Sequence, residues 1–433
     1  MAEQPTPEQG MHEQGAHEQR RAAVPGRERA QQLDTADPLA EYAQCFERAD
    51  GVLAYFDGNS LGRPVAGAAA AMSRFVEHDW GSRLIRSWDE AWMRWPEETG
   101  DLVGAAALGA APGQTVVADS TTVLLYKVLR ALVDHQVALD PGRTELVLDT
   151  DNFPTDRYVA EGIAAERGLM LKWIEVDTAE GVTVEQVAGV VGPRTGVVLL
   201  SHVAYRSGWI ADAEQITRVV HEAGGMVLWD TCHSAGSVPV RADDWGWDAA
   251  VGCSYKYLNG GPGAPAHAYL ARRHHDTPTL RQPVQGWMGR QDPFLMEPGY
   301  VPAQGIRSLV SGTPSVVGMV PLRLALRMLE EAGIDAVRAK SLALTDFAAE
   351  VVRTWPEELG VQIASPEDPE RRGGHLTLRH PDFEQVNARL WERGVIPDFR
   401  SPDGLRLGLA PLSTTFVEVW DGLAAVREEL ERG

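Results

Sequence analysis

Lysine is scarce in this chain, which carries only Lys127, Lys172, Lys256 and Lys340. A lysine does covalent chemistry as a Schiff base with a carbonyl when it can lose its proton near neutral pH, which partial burial and nearby cations favour. Lys127 falls in an amphipathic helical pattern, Lys172 in a strand pattern and Lys340 on a late helix beside Arg338, all suited to ordinary solvated lysines. Lys256 differs. It follows an apolar strand pattern at 249–254 and precedes Asn259-Gly260-Gly261-Pro262-Gly263, whose glycines permit tight turns and close approach of backbone to a ligand. Taken alone, Lys256 reads equally well as a surface lysine.

Asp230, 26 residues before Lys256, closes the apolar run Met226-Val227-Leu228-Trp229. A carboxylate there can simply cap the next turn. Beside a Schiff-base lysine it has a sharper use, because an acid facing the pyridine nitrogen of pyridoxal 5'-phosphate (PLP) keeps that ring an acceptor of electrons. A phosphate also needs donors. Ser120-Thr121-Thr122 sits between a strand and a helix, where hydroxyls and free helix-start amides can meet an anion, although a plain helix cap accounts for one of these residues. No G-x-G-x-x-G opens a helix after a strand, and no G-x-x-x-x-G-K-[ST] occurs, so dinucleotide and nucleoside-triphosphate binding lose ground.

The elements that position these residues follow from hydrophobic patterning. Strands are predicted at 115–118, 145–149, 171–176, 196–201, 226–230, 249–254 and 267–270, mostly as continuous apolar runs that suit strands covered on both faces. Helices at 122–135, 155–167 and 213–223 alternate with them. That alternation predicts an α/β fold with a mainly parallel sheet and right-handed crossovers, whose ligands gather at the carboxyl ends of the strands. Two longer helices, at 316–331 and 335–355, lead into a smaller α+β unit with strands at 374–379 and 405–408 and helices at 383–393 and 416–431. The predicted division is a disordered tail at 1–35, a large domain at 36–320 whose first part can pack with the small one, and a small domain at 321–433. The tail contains the near-repeat HEQG and HEQR at 12–20 and has little to bury.

Composition narrows the partners. The 433 residues carry 61 acidic against 40 basic side chains, and a net charge of -21 repels a nucleic-acid backbone. No apolar run approaches the roughly 18 residues of a membrane span, and three cysteines make no disulfide framework, so a cytoplasmic protein is predicted. No metal site is predicted.

Several longer motifs then occur in order: FDGNSLG at 56–62, DNFPTD at 151–156, WDTCHSAGSVPV at 229–240, GCSYKYLNGGPG at 252–263, QGWMG at 285–289, MEPGY at 296–300 and SGTP at 311–314. Together they resemble the kynureninase family of fold-type-I PLP enzymes, over everything but the tail. The resemblance implies a large PLP-binding domain with a smaller C-terminal domain, and Lys256 as the Schiff-base lysine with Asp230 on the pyridine nitrogen. It places Thr121, Thr122 and Tyr255 at the cofactor's phosphate, Phe153 against its ring, and Asp156, Ser201 and His233 at other cofactor contacts. Trp287 and Thr313 match residues that reach the cofactor near a subunit boundary, which implies a homodimer. Arg406 resembles the arginine that grips the substrate's α-carboxylate, a task suited to a bidentate guanidinium. Cys232 departs from the pattern, since many relatives have alanine or serine there.

The implied activity is PLP-dependent hydrolysis of L-kynurenine, or a ring-substituted relative, to an anthranilate and L-alanine, with Lys256, Asp230 and Tyr255 as catalytic groups. In the resembled family a Ser-Asn pair at this place goes with 3-hydroxykynurenine and a Gly-Thr pair with unmodified kynurenine, so Gly312-Thr313 implies a modest preference for kynurenine, threonine being shorter than asparagine and glycine lacking a side chain. Other enzymes on this scaffold are the rivals. A cysteine desulfurase needs a reactive cysteine on a mobile loop after the lysine, and none follows Cys253. An aminotransferase or an idle PLP-scaffold binding protein remains, and joint retention of Lys256, Asp230 and Arg406 argues against the idle one.

Overall fold

The computed structural model describes residues 25–432. The histidine near-repeat lies outside them. Within the described residues, Arg27–Ala36 is a helix, α1, followed by a two-residue strand β1 (Ala54–Tyr55). This corrects the predicted disorder up to residue 35. Low hydrophobicity suggested a solvated segment, but Ala30 is fully buried and Asp34 accepts hydrogen bonds from backbone amides 382 and 383 residues away.

The large sheet is built from β2 (Thr115–Ala118), β3 (Glu145–Asp149), β4 (Met170–Ile174), β5 (Thr195–Ser201), β6 (Met226–Asp230), β7 (Ala249–Gly252) and β8 (Ala266–Leu270). Their order across the sheet is β2-β8-β7-β6-β5-β3-β4, and only β8 runs against its neighbours. The predicted strands therefore stand, in a mainly parallel sheet. Successive residues of a strand face opposite sides. Val227 and Trp229 accordingly join one apolar cluster, while Met226 and Leu228 join the other. Helix α2 (Thr121–Leu139) covers the second face through Leu125, Val128 and Leu132. Helices α3 (Pro154–Arg167) and α4 (Ala213–Glu222) complete crossovers between strands, with Ile216 and Val220 of α4 packed on the first face.

Helix α5 (Val316–Ala332) also packs on the first face, through Met319, Leu322, Leu326 and Leu329. The separate smaller core starts within α6 (Ile334–Arg353), whose Leu344, Phe347 and Val351 join a third cluster. That cluster covers a four-stranded sheet in the order β12-β13-β10-β9, made from β9 (Gln362–Ile363), β10 (His375–Arg379), β12 (Asp398–Arg400) and β13 (Gly404–Gly408). Helices α7 (Phe383–Glu392) and α8 (Phe416–Arg432) lie on it, and β11 (Val395–Ile396) pairs with β1. Ala30, Ala54 and Phe56 belong to the same cluster, so the segment from α1 to β1 packs with the C-terminal unit.

Candidate active site

Lys256 owes its place to the turn after β7. Asn259 adopts φ 53° there, Asn259 N donates to Lys256 O at 2.9 Å and Gly260 N to Ser254 O at 2.9 Å. The motif at 56–62 presses on this turn, with Gly62 N donating to Tyr255 O at 2.8 Å. A Cβ on Gly62 would collide with Lys256 O, which is why glycine stands there. The Lys256 amine reaches His233 Nε2 at 3.0 Å and lies 5.8 Å from the centroid of the Phe153 ring. His233 is held neutral: burial drives its pKa well below the usual value, and Lys256 and Arg406 add to the effect. With Nε2 accepting from Lys256, its proton sits on Nδ1, a buried atom with no partner.

Asp230 stands at the carboxyl end of β6, where its Oδ1 accepts from Cys232 N at 2.7 Å. Asp156, in the first turn of α3, is buried and feels the charge of Asp230. Burial pushes the Asp156 carboxyl well above the ordinary carboxylate range, and Asp230 and Asp149 push the same way. The Asp156 carboxyl thus holds its proton more readily than an ordinary carboxyl, and its Oδ2 is buried without a partner. Ser201 donates to Asn152 Oδ1 at 3.1 Å, and that oxygen also accepts from Phe153 N at 2.8 Å, fixing the backbone that carries the Phe153 ring.

Thr121 and Thr122 open α2. Ser120, the residue before them, makes no side-chain cap, and the first amide bonded back into the helix is Leu124 N to Ser120 O at 2.9 Å. The earlier amides stay free at the positive end of a 19-residue helix. Thr121, Thr122, Phe153, Asp156, Ser201, Asp230, His233, Tyr255 and Lys256 all line one cavity of about 100 Å³ at the carboxyl edge of the sheet. Nine of the twelve residues singled out from sequence thus converge there.

The other three do not. Trp287 is 39% exposed with its ring edge-on to Phe294, and Thr313 is exposed. Arg406 is buried in β13 and does not line the cavity. Its Nε donates to Asp398 at 2.7 Å, its Nη1 to Tyr205 O at 2.6 Å and its Nη2 to Ser60 Oγ at 3.0 Å, with Asp398 also taking Nη2. Two of the remaining lysines also depart from expectation. Lys127 and Lys340 are buried, and pair with Asp119 at 2.8 Å and Asp37 at 2.7 Å. Helical periodicity does not reveal such partners, which lie outside the helix.

Sequence reading passed over Tyr205 and His375. Tyr205 lines the cavity, stands edge-on to Phe153 at 5.4 Å and holds Arg406 through its carbonyl. His375 sits in the small sheet 5.6 Å from His233, with Nε2 on Arg206 O at 3.3 Å and its pKa pulled down to about 3, first by burial and then by Arg406. The signal available for His375 is a histidine opening a strand that continues Leu-Thr-Leu.

Comparison with known proteins bears on this cavity. The family description "Kynureninase C-terminal domain" matches residues 337–426. Kynureninase of Burkholderia pseudomallei (strain 1106a) is 38% identical over 408 residues, covering 94% of this chain and 95% of that one. Kynureninase of Pseudomonas fluorescens is 39% identical over 404 residues, covering 92% and 94%. The chain belongs to the kynureninase family. Solved structures share its fold at lower identity. A cysteine desulfurase from Thermococcus onnurineus NA1 aligns with a TM-score of 0.73 at 18% identity, over 88% of this chain and 95% of that one. The lyase C-DES, solved with glycine covalently linked to its PLP cofactor, gives 0.76 at 18% over 87% and 96%. The fold-type-I architecture expected from sequence is therefore present.

The cavity suits the cofactor of a kynureninase. Free amides at a helix start meet a phosphate, Phe153 offers a flat face, and the unpaired Asp156 Oδ2 and His233 Nδ1 are buried polar atoms awaiting a partner.

Proposed function

We propose that the chain hydrolyses the Cβ–Cγ bond of L-kynurenine, or of a ring-substituted kynurenine, to an anthranilate and L-alanine, with PLP held at Lys256. The observation that carries this reading is one cavity joining Lys256, the Asp156–Asp230 pair and the Phe153 ring, in a chain alignable almost end to end with kynureninases. The cofactor, when bound, supplies an electron-accepting ring that stabilises charge at the substrate's Cα. Thr121, Thr122 and the start of α2 would hold its phosphate, Phe153 would pack against its ring, and Asp230, with Asp156 beside it, would keep its ring nitrogen charged. Lys256 Nζ takes the proton from the substrate's Cα, and neutral His233 keeps that amine oriented. Tyr255 serves the water that attacks the ketone; burial raises its hydroxyl's pKa, so it acts as a proton-bearing group. Arg406 takes the α-carboxylate with the N–H left on Nη1, Asp398 holding its other edge.

The same proposal includes a homodimer and a cytoplasmic setting. Exposure of Trp287 and Thr313 supports a role at a subunit boundary, and Thr313 precedes Pro314, which with Phe75, Trp80, Trp88 and Trp92 lines an apolar groove. Apolar exposure of that kind favours association. Among the described residues no helix is long and apolar enough to cross a membrane. The Gly312-Thr313 pair, which in the family goes with unmodified kynurenine, supports kynurenine as the preferred substrate over 3-hydroxykynurenine; a clearly higher kcat/KM for the hydroxylated form would reverse that choice.

Lys256→Ala tests the core of the reading. The variant is expected to lose the visible absorption of the lysine-linked cofactor and all kynurenine turnover. Borohydride reduction that still fixes the cofactor to another lysine would move the assignment.

A further inference from the structure

Cys232 and Cys253 are the buried thiols that the reaction leaves unused. They come from neighbouring parallel strands. Asp230 pairs with Val251, Thr231 N then donates to Val251 O at 2.8 Å, and two steps beyond that register each chain carries a cysteine. The contacts are reciprocal: Cys253 N donates to Cys232 Sγ at 3.3 Å, and Cys253 Sγ stands 4.0 Å from Cys232 O. Adjacent strands lie about 4.8 Å apart, inside the Cα separation of roughly 4.4–6.8 Å that a disulfide spans. Both cysteines are free, and the Cys232 side chain forms part of the cavity wall beside Lys256 and Asp230. Cys232 is thus the member of the pair that lines the cavity, and Cys253 is in contact with it.

We propose that Cys232 and Cys253 are a modification site, a dithiol that a hydroperoxide-class oxidant closes into an intrachain disulfide, lowering turnover reversibly. The two thiols lose two protons and two electrons, one sulfur–sulfur bond forms, and hydrogen peroxide is reduced to two waters. The effect on turnover rests on reading the cavity as the active site. It follows from what the sulfurs touch. Cys232 N holds Asp230 Oδ1, so drawing the sulfurs together pulls on the backbone amide that orients this carboxylate. Cys45, which is exposed, lies apart from this pair.

The test uses holoenzyme carrying Cys45→Ser, treated with hydrogen peroxide, then denatured and labelled with a maleimide. The expected product takes up no maleimide, has a mass about 2 Da below the untreated protein and yields a Cys232–Cys253 crosslinked peptide. Its kcat falls by about tenfold or more and recovers with dithiothreitol. Cys232→Ala in the same background is expected to keep one labelled cysteine and show no reversible loss. Oxygen addition to the cysteines without a crosslink would overturn the proposal, and so would a crosslinked protein with unchanged kcat. The mass readout requires no turnover, so failure of the assigned activity is distinguishable from failure of the dithiol.

Discussion

At the scale of single residues, the site divides into groups that sequence exposes and groups that only packing reveals. Lys256 and Asp230 were legible because each ends an apolar strand at the sheet's carboxyl edge, and because their motifs are long. Asp156 was legible as a contact, but the upward shift of its carboxyl pKa was not, since that depends on burial beside Asp230 and Asp149. Tyr205 was invisible, because what it lends Arg406 is a backbone carbonyl, which any residue type has. Asp230→Asn is expected to keep bound cofactor and lower kcat by about 10²-fold or more, roughly 3 kcal/mol, because an amide cannot balance a charged ring nitrogen. Steady-state kinetics decide this, and a near-normal kcat would remove Asp230 from the mechanism. Arg406→Lys is expected to raise KM by about tenfold or more, since a single ammonium cannot hold Asp398, the Tyr205 carbonyl and a substrate carboxylate together. An unchanged KM would pass the carboxylate to Arg400, which already shares Asp398 at 2.8 Å.

At the scale of elements, strands of the large sheet were read almost to the residue, because continuous apolar runs bounded by polar turns leave little choice. The short strands β1, β9, β11 and β12 were missed for the opposite reason: two or three residues carry no periodicity. Helix α1 was missed because its stability comes from elsewhere. Asp34 caps α8 from outside that helix, with Oδ1 accepting from Phe416 N at 2.7 Å and Oδ2 from Val417 N at 3.0 Å. Arg27 adds an ion pair to Asp421 at 2.8 Å. A cap of this kind is worth about 1–2 kcal/mol. Asp34→Ala is therefore expected to lower the unfolding free energy by that amount while leaving the absorption of bound cofactor unchanged. A variant as stable as the parent would show that α8 starts without help.

At the scale of the whole molecule, a second charged cluster lies at the edge of the large sheet opposite the cavity. Asp248, just before β7, accepts from Val227 N, His221 and His274 at 2.8 Å each and from Arg273 at 2.7 Å, joining the end of α4 to β6 and to the segment after β8. Burial opposes its ionisation, but the hydrogen bonds from His221 and His274 outweigh burial and hold its pKa below the model-compound value of 3.8. A carboxylate depressed on folding stabilises the protein fully above its unfolded pKa, and loses that contribution as pH falls through the folded one. Asp248→Asn is expected to cost about 2 kcal/mol at pH 7. The gap between variant and parent should shrink as the pH drops below 3.8. Denaturant titrations at neutral and acid pH check this, and a pH-independent gap would assign the effect to lost packing. The contact between α1 and α8 has a consequence in time. Strands β2 to β8 are contiguous in the chain and can assemble as they leave the ribosome, whereas Asp34 must wait for Phe416, 382 residues later. At roughly 5–20 residues per second, that wait is tens of seconds. Helix α1, the first among the described residues, is thus among the last to dock, and a chain that stops short of α8 leaves α1 without the partner Asp34 caps.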